Sequence, residues 1–179
     1  MQDISFEAML TGGHPNSLGN TVQVVNLVLS NPTKLSDLYS CYFSNDEVVR
    51  LRTSNAIKRI SREKPEWLVS YIDKFISEIS LIDQASTQWT LADLFKTLES
   101  FMSEVQKDKA KIILKRNLVT YTDWIVLNNS METLAHWSKT DVILKQWLFP
   151  HLERLSNDHR KSVAGRAKKI QERLKGRKG

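Results

Sequence analysis

Few residues in this chain are able to do chemistry, and their spacing offers little support for it. The histidines are His14, His136, His151 and His159. No two stand four apart, the spacing that puts a zinc-binding pair on one helix face, and a turn separates His151 from His159. Cys41 sits among Tyr39, Tyr42 and Phe43, surroundings that suit a small buried hydrophobe better than an activated thiolate. Gly12-Gly13 leads into His14-Pro15 and lacks the lysine and hydroxyl of a phosphate-cradling GxxxxGK[ST] loop. No nucleophile, base and acid converge in a motif. We therefore expect no catalysis, no metal and no cofactor.

A different pattern stands out. Asn55, Asp93 and Asn129 lie 38 and 36 residues apart, and Gly165 follows 36 further on. Lys58, Lys96, Glu132 and Lys168 repeat in the same register. Trp89 stands four before Asp93, and Trp124 four before Asn128, the spacing of helical neighbours. Two readings apply. Short amides and carboxylates can bond from helix to helix as a structural ladder, or they can line a recognition groove anchored by tryptophan. The candidate contact residues are Arg52, Asn55, Arg59, Trp89, Asp93, Lys96, Trp124, Asn128, Asn129 and Glu132.

The elements that must carry these residues are helices. After position 16 almost every apolar residue falls on a helical period, and no stretch alternates as a strand would. Asn31-Pro32, Ser44-Asn45-Asp46, Thr122, Thr140-Asp141 and Asn157-Asp158 read as helix starts. Helices are expected near 86–103 and 106–120, the latter with Ile112, Ile113, Leu118 and Val119 inward. Ile143 and Leu144 are expected inward on the helix starting at Thr140 or Asp141, and Val163, Ala167, Ile170 and Leu174 on the last. Ile60, Leu98, Leu134 and Ile170 repeat at 38, 36 and 36, as do Thr53, Leu91, Leu127 and Val163. A fixed period of this length predicts an all-α chain built as a solenoid of helix pairs, in which neighbours supply the core that one pair cannot. The expected layout is a flexible lead-in over 1–16, one domain over 17–175 and a basic tail over 176–179.

Charge is uneven. The chain has 179 residues, 26 Lys+Arg and 20 Asp+Glu, a formal net charge of +6. Residues 156–179 hold nine of the basic residues and two of the acids, so the preceding body is nearly neutral. Arg160, Arg166, Lys169 and Arg173 form a possible basic docking strip on the last helix. The bland alternative is a polar end-cap with cations opposing the helix dipole. No apolar run reaches the length of a membrane span, and a lone cysteine suits a reducing, cytoplasmic setting.

Two segments carry a family resemblance. LFPHLERLSNDHRKSVAGRAKKIQERL (148–174) resembles a HEAT repeat: an apolar helix with an internal proline (Pro150), an Asn/Asp turn, then a helix with small residues. KLSDLYSCYFSNDEVVRLRTSNAIKRI (34–60) is similar, with Asp46 in the turn and Arg52 six residues on, as in the family's Asp/Arg turn pair. The positions equivalent to Arg52 in later repeats are Thr90, Val126 and Ser162. GGHPNSLGNTVQVV (12–25) resembles the start of small stand-alone bacterial HEAT-repeat proteins. The resemblance implies a right-handed α-solenoid that binds a protein or peptide along a concave surface of second helices. The competing expectation is nucleic-acid binding, remotely like DNA-alkylation-repair solenoids, through helix 46–64 and the C-terminal helix. No membrane partner is expected.

Overall fold

The computed structural model describes residues 4–176, which form ten α-helices joined by short loops and 3-10 turns, with no strand among them. In order these are α1 (Phe6–Leu10), α2 (Thr21–Ser30), α3 (Leu35–Ser40), α4 (Glu47–Glu63), α5 (Ile72–Ser77), α6 (Ala85–Thr97), α7 (Glu104–Thr120), α8 (Trp124–Trp137), α9 (Val142–Ser156) and α10 (Lys161–Lys175). The starts follow local chemistry. Asp46 accepts from the Val48 N–H at 2.8 Å, Asp123 from Ile125 and Val126, and Asp141 from Leu144. Thr122 itself is not the cap. Ser103 and Gln106 close a reciprocal capping box on α7. Pro150 lies inside α9, as the sequence places it. The segment from Pro65 is less regular than expected, with a 3-10 stretch Pro65–Tyr71 before α5.

Packing joins the even-numbered helices in a row: α2 against α4, α4 against α6, α6 against α8 and α8 against α10. The alternate helices lie behind this row. α7 packs on α5 and α8, and α9 on α8 and α10. Both sets of repeating positions are inside: Ile60, Leu98, Leu134 and Ile170, and likewise Thr53, Leu91, Leu127 and Val163. Burying a leucine- or isoleucine-sized side chain stabilises by roughly 1.5–3 kcal/mol, so these two rows bind each even helix to its neighbours.

Several sequence expectations are corrected. Ile112 and Val119 point outward from α7, which buries Ala110, Ile113, Leu114 and Leu118 instead. Ile143 is 78% exposed while Leu144 is inside, because one residue is ~100° of helix. The lead-in is docked: α1 buries Phe6 and Leu10 in the core. The tail expected over 176–179 lies, apart from Gly176, outside the described residues.

Arg52 explains the docking. Expected on a partner-binding surface, it is 2% exposed. Its guanidinium donates to the carbonyls of Leu10 (2.7 Å), Ser17 (3.2 Å) and His14 (3.3 Å), and to that of Gly12. Asp46, its expected turn partner, is spent capping α4. The loop can wrap so closely because Gly19 has φ +49 and no side chain. A Cβ there would meet the guanidinium carbon at 2.9 Å. Removing a buried charged donor strands several carbonyls. Arg52→Ala is therefore expected to cost roughly 2–4 kcal/mol in urea unfolding and to make residues 11–20 protease-sensitive. The surface change Arg59→Ala should cost less than about 0.5 kcal/mol.

Candidate functional site

The residues sharing one outward stripe on α4, α6, α8 and α10 form the candidate site. On α4 they are Asn55, Lys58, Arg59 and Arg62, on α6 Trp89, Asp93 and Lys96, on α8 Ile125, Asn129, Glu132 and His136, and on α10 Gly165, Lys168, Lys169 and Glu172, with Arg166 and Arg173 on the side that meets α8. All are half-buried or exposed. Spacings of three and four keep each set on one helix face.

Each helix junction in this row is crossed by a polar contact. Arg62 on α4 meets Asp93 on α6 at 3.3 Å. Asn129 on α8 donates to the Trp89 carbonyl on α6 at 3.2 Å, and the buried Thr133 hydroxyl donates to the Ala92 carbonyl at 2.8 Å. Glu132 on α8 receives Arg166 at 2.8 Å and Arg173 at 2.9 Å, both from α10. Asn55 stays within α4, accepting from Arg59 at 2.8 Å. The row Asn55, Asp93 and Asn129 thus contributes two cross-helix contacts out of three positions.

Electrostatics follow from this pairing. Burial acts to raise the Glu132 pKa, but the hydrogen bonds and charges of Arg166 and Arg173 outweigh it and hold the carboxyl below its ordinary value. Burial pulls the Lys58 ammonium below the usual lysine value. Asp93 opposes this, while Arg62 and Arg59 add to it. Lys96 and Lys169 are exposed and make no hydrogen bond or ion pair among the described residues.

Other expected site residues lie elsewhere. Asn128 is buried, with Oδ1 lacking a partner. Trp124 is 49% exposed at the first turn of α8, about 140° around the helix from Asn129. Neither joins Trp89. The residue that does is Ile125, and the 36-residue register applied to Trp89 finds it. Arg160 leaves the basic strip. It pairs with Asp158 at 2.8 Å and donates to the Thr122 carbonyl. Arg50, on the helix 46–64 of the nucleic-acid expectation, is tied to Gln84 at 2.6 Å and to the Ser44 carbonyl. His136 and Glu99 lie 2.7 Å apart at the C-terminal end of the stripe, a pairing that no local sequence signal marks.

Recesses elsewhere offer little chemistry. One of about 470 Å³ is lined by Glu99, Lys107, Lys111, Trp137 and Asp141 among others. Its ions already pair: Lys111 with Asp141 at 2.9 Å and Lys107 with Glu104 at 3.4 Å. Another, about 400 Å³, borders Cys41, whose thiol burial pushes up to about 11 and so keeps protonated at neutral pH. No group of three or more His, Cys, Asp or Glu among the described residues could hold a metal ion. No helix among them is long and apolar enough to cross a membrane.

No family model, curated protein or solved structure matches this chain.

The Glu132 contacts give a measurable pH effect. A carboxylate with a depressed folded pKa adds stability that is complete above its unfolded value and is lost as pH falls through the folded value. Glu132→Gln should cost roughly 1 kcal/mol at pH 7, since the half-exposed arginines are partly screened. That difference should shrink below about pH 4 as the wild-type carboxyl is protonated. Urea midpoints of both proteins across this range check it.

Proposed function

We propose that this chain is a non-catalytic binding module, a short right-handed HEAT-like α-solenoid that presents its second-helix face to a protein or peptide partner. Here α4, α6, α8 and α10 are the second helices of four pairs, and the stripe from Asn55 to Glu172 lines the concave side. The observation carrying this reading is the bonding across every junction of the row. Such bonding holds recognition groups on a rigid frame, which limits the ordering cost of association. Trp89 and Ile125, side by side in register, supply apolar contact within the polar stripe. The ionised groups beside the recess near α8 neutralise one another, which supports a binding role over acid–base catalysis. A lone buried thiol suits a cytoplasmic site of action.

The reading is tested by affinity capture with the wild-type chain and with the double variant Trp89→Ala, Lys96→Glu, using lysate with and without nuclease. Proteins retained by the wild type, lost by a variant of unchanged helical circular dichroism and indifferent to nuclease are the expected result. Capture that nuclease abolishes, or that the variant leaves intact, contradicts it.

A further inference from the structure

The distribution of charge along the stripe narrows the partner. Eight cations lie on or beside it, namely Lys58, Arg59, Arg62, Lys96, Arg166, Lys168, Lys169 and Arg173, against three carboxylates, Asp93, Glu132 and Glu172. The excess is not spread evenly. α4 contributes three cations and no acid to the stripe, and α10 four cations and one acid, Glu172. α6 and α8 hold the other two acids and one cation. Those two acids are engaged by arginine. The face is therefore positive at its two ends and close to neutral between them.

The cations at the ends are crowded. Lys58 is half-buried, and that burial lowers its pKa; Asp93 opposes the shift, while the neighbouring Arg62 and Arg59 add to it. Arg166 and Arg173 share one carboxylate and flank Lys169, which makes no hydrogen bond or ion pair among the described residues. An anionic group placed at either end would relieve like-charge repulsion, while one placed mid-face would meet Asp93 and Glu132.

We infer that the partner segment is an acidic peptide, extended across the helices, with carboxylates near both its ends and a neutral, partly apolar middle. This inference rests on the binding-face reading above. Its length follows from helix spacing. Three intervals of about 8–10 Å separate α4 from α10, and an extended chain advances roughly 3.3–3.6 Å per residue. About eight residues thus separate the two acidic ends. A nucleic acid strand fits less well, because its charges repeat every few ångströms and would set phosphates against the mid-face carboxylates. Arg52, Arg50 and Arg160, which a longer basic track would need, are engaged elsewhere.

The experiment uses the full chain and defined probes of fourteen units: a peptide with glutamates at both ends, an isomer with them central, a neutral peptide, a lysine-ended peptide and a single-stranded RNA. Amide shifts in nitrogen-15 spectra locate binding, and fluorescence anisotropy gives affinity at two salt concentrations. The end-acidic peptide should bind at least about tenfold more tightly than its isomer, weaken with salt and shift amides on both α4 and α10. Arg59→Glu with Lys169→Glu, neither of which bonds another helix, should reverse the preference toward the lysine-ended peptide. Neutral or lysine-ended peptides binding the wild-type face equally well would overturn the acidic inference and leave the binding-face reading standing. RNA binding the face more tightly than the acidic peptide would overturn the peptide assignment. No shift on the face with any probe would overturn both.

Discussion

Each even-numbered helix from α4 to α8 has to satisfy a neighbour on either side at once, and the rest of the molecule depends on that constraint. Leu91 on α6 with Leu98 at its C-terminal cap, and Leu127 and Leu134 on α8, are buried at equivalent places in successive repeats of the period. None could be covered by its own helix pair alone. The row is extended by repetition, and the apolar stripe on each helix fixes which residues are left to face outward. The polar stripe is therefore a geometric by-product of core packing, and the bonds from Arg62, Asn129 and Glu132 lock it in place. At the α4 end of the stripe the covering elements differ. α1 and α2 cover α4 instead, with the Gly12–Gly19 loop fastened around Arg52.

Much of the architecture is readable from sequence, because caps and period are local signals. Asp46 and Asp141 announce helices by residue type, and the interval of 36 to 38 survives because every helix pair solves the same packing problem. What is not readable involves groups without a side-chain partner to hint at them. Arg52 looks like a surface cation, yet its partners are backbone carbonyls 35 to 42 residues away. α1 has five residues, too few to display a period. Trp124 attracts notice as a large aromatic, whereas the register itself selects Ile125. Spacing is the better guide here than residue type.

The site illustrates a related loss of information. A body of nearly zero net charge conceals a local excess: the stripe on α4, α6 and α8 holds Lys58, Arg59, Arg62 and Lys96 against Asp93 and Glu132, while most of the body's cations, such as Lys107, Lys111 and Lys115 on α7, lie elsewhere. Net charge describes solubility and long-range steering. Recognition depends on which helix face each charge occupies, and that becomes visible only once the apolar stripes have fixed the orientation of every helix.

The central claim is that α4, α6, α8 and α10 form one open, ordered row. Paramagnetic broadening tests it most directly, with a nitroxide at Arg59→Cys in a Cys41→Ser background. Amides of α6 should be strongly attenuated, those of α8 weakly, and those of α10, about 25–30 Å away, left almost unchanged. Attenuation of α10 as strong as that of α6 would mean that the last helix folds back onto α4 in a closed bundle, and would contradict the account.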